Sequence, residues 1–177
     1  YKGLNEQDKA ITYFKRAIAL DPRLAEAIYN YGITMIESGD EEGYGYIDKA
    51  LYVNPEYPEA HNYKGLQLLK EEKTTQAIGH FKKAITNKPD YAEAYCNLGN
   101  AFMIKKAFTS AEAMYRKAIE YDPNYAGAYN NLGNALLDQD DYRQHQDEAE
   151  QCYLRAIKLA PEVDDTYKNL ALCYQGA

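Results

Sequence analysis

The chain has 177 residues with 20 basic and 27 acidic side chains, a net charge of −7. That acidity opposes binding to nucleic acid or an anionic membrane surface, both of which call for basic patches, and no apolar run approaches the roughly 18 residues of a membrane span. Cys96, Cys152 and Cys173 are odd in number and widely spaced, which fits neither a disulfide framework nor a zinc site and favours reducing, cytoplasmic surroundings.

Apolar residues recur at helical spacing throughout, punctuated by Pro22, Pro55, Pro89, Pro123 and Pro161 at intervals of 33, 34, 34 and 38 residues. Residues 1–24 read as a lone second helix, with Ala10, Phe14, Ala17 and Ile18 on one face before Pro22. Residues 25–57 read as a full helix pair. Ile28, Tyr31 and Met35 face inward from its first helix, and Gly43, Ile47, Ala50 and Leu51 from its second. Residues 58–91 repeat the pattern with His61 and Lys64 interrupting the first stripe before Leu68, then Ala77, Phe81, Ala84 and Ile85. Residues 92–125 carry Tyr95, Leu98 and Phe102, then Ala111, Tyr115, Ala118 and Ile119. Residues 126–163 carry Tyr129, Leu132 and Leu136, then Ala149, Tyr153, Ala156 and Ile157. Residues 164–177 hold a first helix alone, with Tyr167, Leu170 and Tyr174.

Each proline ends a second helix, because the residue before it is pushed out of the α region. Gly32, Gly65, Gly99 and Gly133 lie ten residues after successive prolines, mid-helix. Glycine there costs about 1 kcal/mol against alanine, so its recurrence predicts a close helix crossing. The 38-residue interval holds four extra residues, Arg143–Gln146, expected as a loop between the two helices of the 126–163 unit.

Tyr95…Leu98-Gly99…Phe102…Ala111…Tyr115…Ala118…Pro123 resembles the tetratricopeptide repeat signature, and the 126–163 unit matches nearly as well. The resemblance covers essentially the whole chain and implies an all-α, right-handed superhelix of antiparallel helix pairs. It divides the chain into a partial repeat at 1–24, repeats at 25–57, 58–91, 92–125 and 126–163, and a partial repeat or C-terminal helix at 164–177. Neither end supplies an obvious polar cap, so the chain is read as a fragment of a longer array or larger protein, with self-association through the repeat ends as one expectation.

Chemistry is sparse. His61, His80 and His145 lack ligand spacing, and His61 sits at a core position, where a buried, hydrogen-bonded histidine is expected. No phosphate loop, nucleophile elbow or His-Glu-x-x-His pattern occurs. No catalytic residue, metal site or cofactor is expected.

In the family resembled, first helices line a concave groove that receives peptide segments. The row eight residues after each proline reads Asn30, Tyr63, Asn97, Asn131 and Asn169. Carboxamides offer both donors and an acceptor, so such a row can pair with an extended backbone. It is similar to the asparagine ladder in the repeat domain of the O-linked N-acetylglucosamine transferases. Beside it lie Tyr29, Asn62, Cys96 and Asn130, and further on Ile33, Leu66, Asn100 and Asn134. The groove is thus apolar towards its N-terminal units and amide-rich over 92–163. Tyr29 and Tyr63 are expected as exposed anchors. Tyr57, Tyr91, Tyr95, Tyr115, Tyr125, Tyr129, Tyr153 and Tyr167 are expected in the repeat core.

A carboxylate clamp of the cochaperone kind needs basic residues at positions four, seven and eight after the prolines. Position four reads Glu26, Glu59, Glu93, Gly127 and Asp165, and Lys168 is the only basic residue in those rows. The reading is therefore a non-catalytic adaptor binding a protein or peptide segment. The alternatives are a substrate-presenting arm of a larger enzyme, such as a glycosyltransferase, or a self-assembling scaffold.

Overall fold

The computed structural model describes residues 2–138 and 142–175. Among them the regular structure is helical throughout: α1 (Lys2–Leu20), α2 (Ala25–Glu37), α3 (Gly43–Val53), α4 (Pro58–Lys70), α5 (Thr74–Asn87), α6 (Ala92–Ile104), α7 (Phe108–Tyr121), α8 (Ala126–Leu137), α9 (Tyr142–Leu159) and α10 (Asp164–Gln175). The helices pair as α2–α3, α4–α5, α6–α7 and α8–α9, and each pair packs on the next in a right-handed α–α superhelix. First helices also touch across repeats, α4 with α6, α6 with α8 and α8 with α10. The array therefore curves with the first helices on its inner face.

Two recurrent turns set this geometry. Between repeats, the side chains of Asp21, Asn54 and Asp122 each accept a hydrogen bond from the backbone N–H two residues on, at 2.9, 3.1 and 3.0 Å, holding the chain around the proline that ends the second helix. Within repeats, the first helix closes on a left-handed residue at one repeated position: Gly39, Glu72 and Lys106, with φ of 87°, 59° and 56°. The next N–H then reaches back five residues, as in Lys73 to the Leu68 carbonyl at 2.8 Å and Ala107 to that of Phe102 at 2.9 Å.

The mid-helix glycines make room for rings. A Cβ on Gly99 would lie 2.5 Å from the Tyr115 ring and one on Gly133 would lie 2.6 Å from that of Tyr153; Gly65 stands equally close to Phe81. The expectation of a close crossing holds, but in these three pairs the glycine admits a side chain, not the opposing backbone. The 25–57 pair is the exception. Ile47 replaces the ring, Gly43 replaces alanine, and Gly32 and Gly43 meet backbone against backbone. Phe81, Ile47, Tyr115 and Tyr153 are fully buried, as are Ala50, Ala84, Ala118 and Ala156. Each such large apolar side chain contributes about 1.5–3 kcal/mol on burial.

His61 is buried at the position where other units carry Ile28, Tyr95 and Tyr129, and it is satisfied. Its Nε2 lies 2.8 Å from the Pro55 carbonyl, which can only accept, so Nε2 carries the hydrogen. Its Nδ1 is then the lone pair of a neutral ring and accepts from Nδ1–H of His80 at 3.0 Å. Burial lowers the pKa of both rings. His80 is lowered to about 4, with His61, Lys83 and Lys64 adding to burial and Asp48 on α3 opposing.

Three expectations are corrected. The four extra residues Arg143–Gln146 form no loop: α9 starts at Tyr142 and carries them as an added turn, and Gln146 Nε2 donates to the Cys173 carbonyl of α10 at 3.1 Å. Tyr167 and Tyr174 are 45% and 53% exposed, lying along the surface of α10 with their hydroxyls donating to the Pro161 carbonyl and Glu150 Oε1. Ser38 and Ser110, expected as helix caps from their places at the interhelix turns, do not cap N-termini. Ser38 Oγ donates to the Met35 carbonyl at the end of α2, and Ser110 lies in the first turn of α7. Asp140 and Asp141 lie outside the described residues.

Gly99→Ala should lower stability by roughly 1–3 kcal/mol through overpacking against Tyr115. A urea midpoint unchanged by that substitution would show that the ring yields freely. Because the folded-state pKa of the histidine pair lies below the ordinary 6.5, its contribution is complete above that pH and is lost as pH falls from 6.5 towards about 4. The urea midpoint should fall over that window less in His80→Gln than in wild type; parallel curves would remove the pair from the acid response.

Candidate functional site

The inner face carries the amide row, and the structure shows how its members are held. Asn97, Asn131 and Asn169 each donate from Nδ2 to an amide oxygen on the preceding first helix: Asn62 at 3.0 Å, Asn100 at 2.9 Å and Asn130 at 3.0 Å. Asn130 Nδ2 in turn donates to Asn131 Oδ1 at 3.2 Å. A lateral seam of carboxamides therefore runs from α4 to α10, bridging repeats where a lone amide would face solvent.

Burial along the seam is uneven. Asn62 is buried and fully engaged, accepting from Asn97 and donating to Glu93 Oε1 at 3.0 Å and the Tyr91 hydroxyl at 3.4 Å. Asn97 is 8% exposed, whereas Asn100, Asn130, Asn131, Asn134 and Asn169 are half-buried. Cys96 sits 3.8 Å from Asn131 Nδ2, and burial pushes its thiol up to about 11, so it stays protonated and unreactive. Asn100 and Asn134 each accept from a tyrosine hydroxyl of the paired second helix, Tyr115 and Tyr153, both at 2.8 Å.

Two adjoining clefts open beside this seam. One of about 230 Å³ is lined by Asn100, Asn131 and Asn134 with Met103 and Ile104; the other, of about 300 Å³, by Asn134 and Asn169 with Met103, Leu137 and Leu172. Met103 and Asn134 line both, making one trough whose lining mixes amides with apolar side chains and includes Asp138. Met103 and Leu137 were legible in the sequence as the row fourteen residues after the prolines, Ile36, Leu69, Met103 and Leu137, which lies one residue beyond the core stripe. The tyrosine hydroxyls gave no such signal, because their rings read as core.

The N-terminal end of the face differs. Tyr29 and Tyr63 are half-buried and not the free anchors expected: Tyr29 packs edge-on against Tyr57 and Tyr63 at 5.3 and 6.5 Å, and Tyr63 packs on Tyr44 at 6.5 Å. Burial first, then the neighbouring hydroxyls and Glu93 and Glu59, raises the Tyr29 pKa, so its hydroxyl stays neutral. Asn30 is half-buried on α2, apart from the seam. No group of His, Cys, Asp or Glu among the described residues is arranged to hold a metal ion, and no described helix is long and apolar enough to cross a membrane.

Comparison with known proteins gives a consistent picture. A family model described as TPR repeat matches residues 65–106 and 99–140, and one described as Tetratricopeptide repeat matches residues 1–24 and 126–163. No curated protein matches the sequence significantly. Among solved structures, MamA from Desulfovibrio magneticus RS-1 is 24% identical, with a TM-score of 0.69 over 89% of this chain and 88% of its own. YrrB, described as a TPR protein with an unusual peptide-binding site, is 22% identical, with a TM-score of 0.69 over 99% of this chain and 87% of its own. The first TPR of Spaghetti (RPAP3), bound to the HSP90 peptide SRMEEVD, is 24% identical, with a TM-score of 0.63 over 67% of this chain and 91% of its own.

Because the seam is partly structural, its buried member should act on stability before any ligand is present. Asn97→Ala strands the buried carbonyl of Asn62 and should cost roughly 1–3 kcal/mol. An unaltered urea midpoint would mean that water replaces the bond.

Proposed function

The chain belongs to the tetratricopeptide repeat family, and from that premise we propose a non-catalytic interaction module whose concave face takes an extended segment of a partner protein. The observation that carries the reading is the α6–α8–α10 trough, where half-buried amides stand among apolar side chains. An extended peptide has the complementary needs: unpaired backbone N–H and C=O groups along its length, and side chains alternating to either side. The amides supply pairing that does not depend on the ligand's sequence, and Met103, Leu137 and Leu172 supply selection by side chain.

The charge pattern bears on which segment fits. Spaghetti's first TPR is bound to a peptide with an acidic end. In this chain the first turns of α2, α4 and α6 carry Glu26, Glu59 and Glu93, of which Glu59 is paired with Lys88 at 3.0 Å, and Lys168 on α10 is paired with Asp165 at 2.9 Å. An acidic terminus would meet repulsion there, so an internal, neutral or basic segment is favoured.

The test uses a tight-binding peptide selected from an N-acetylated, C-amidated dodecapeptide library and titrated by fluorescence anisotropy. Asn131→Ala combined with Asn134→Ala should weaken it by more than about tenfold, the loss of two hydrogen bonds in a partly buried site. Lys82→Ala on the outer face should leave affinity unchanged. Equal affinities for wild type and double variant would take the amides out of the binding surface.

A further inference from the structure

The residue eleven positions after each proline faces the groove, and the residue eight before the next proline is the large core side chain that packs against it from the second helix. In this chain the two change together. Ile33 goes with Ile47 and Leu66 with Phe81, whereas Asn100 goes with Tyr115 and Asn134 with Tyr153. The tyrosines are buried to 1% exposure, yet each hydroxyl reaches past the glycine of its pair and donates to the asparagine Oδ1 at 2.8 Å. A buried hydroxyl needs an acceptor, and an amide whose oxygen is engaged in this way has its plane fixed with Nδ2 on the far side. Asn100 Oδ1 accepts a second bond from Asn131, which saturates it. Neither Asn100 Nδ2 nor Asn134 Nδ2 donates to any described group, and both residues line the trough.

We infer that Tyr115 and Tyr153 are positioning residues of the groove. They orient Asn100 and Asn134 as a pair of donors that read two backbone carbonyls of an extended chain, while Ile33 and Leu66, lacking a hydroxyl partner, leave the α2–α4 stretch to an apolar side chain. This rests on the peptide-binding reading and adds to it a division of the groove into a donor half and an apolar half, set from inside the core. First helices of successive repeats touch, so the two donors stand about 8–10 Å apart, the span of roughly three residues of extended chain.

The experiment takes the tightest wild-type binder from the same blocked dodecapeptide library and replaces its amides one at a time by thioamides, whose sulfur is the weaker acceptor. Wild type should lose roughly three- to tenfold in affinity at two positions about three residues apart. Tyr115→Phe should abolish the sensitivity at one position and Tyr153→Phe at the other, each with weaker binding to the unmodified peptide. Phenylalanine is tolerated at this position, since Phe81 occupies it against Gly65. Thermal melts check folding, and Asn100→Leu with Tyr115→Phe, which reproduces the Leu66–Phe81 pairing, provides a second variant that should lose the same position. Variants that keep the full wild-type sensitivity overturn the positioning role. A wild type insensitive at every position overturns the donor half while leaving peptide binding intact. A wild type that selects no peptide overturns both readings.

Discussion

Contact between a mid-helix glycine and a buried ring is the constraint on which the rest of this molecule depends. Gly65, Gly99 and Gly133 have no side chain because Phe81, Tyr115 and Tyr153 occupy the space where one would stand. The missing methyl brings the two helices of each pair close enough to exclude water, and the alanines of the second helix let the next pair approach in turn. Where the ring is absent, at Ile47, the gap is closed by drawing Gly32 and Gly43 together. The same closeness is therefore reached by two different side-chain arrangements.

That contact also reaches the surface. A phenylalanine ends inside the core, but a tyrosine in the same place carries its hydroxyl through to the concave face, where Asn100 and Asn134 receive it. Core packing and groove chemistry are thus set by one side chain. The lateral amide bonds that join α4 to α6, α6 to α8 and α8 to α10 extend the coupling between neighbouring repeats. In an array whose units contact only their neighbours, such bonds sit at the interfaces that carry cooperativity.

The relation to MamA, YrrB and Spaghetti follows from the same economy of positions. Few places per repeat are needed to specify a helix pair: the glycine, the ring, the alanines and the proline. Identities of 22–24% therefore accompany TM-scores of 0.63–0.69, a likeness of fold that says nothing about a shared ligand.

The sequence by itself determined the number of helices, their pairing and their stops, because these rest on local periodicity, on proline and on a spacing repeated often enough to be read without tertiary information. It also showed that amides concentrate over residues 92–163. What only the tertiary structure decided was what those amides do. Asn62 and Asn97 belong to adjacent rows in the sequence, yet they bond to each other because residues 35 apart are brought together where α4 and α6 lie side by side. Tyr29 and Tyr63 have the phase of exposed anchors but pack into a cluster with Tyr57 and Tyr44, contacts made between helices and invisible to phase. Residues 143–146 count as an insertion by spacing but continue α9 by a turn, because four residues added to a helix nearly preserve its 3.6-residue period and leave the buried face in register. Periodicity assigns a face to each side chain; only the packing of one repeat on the next assigns its partner.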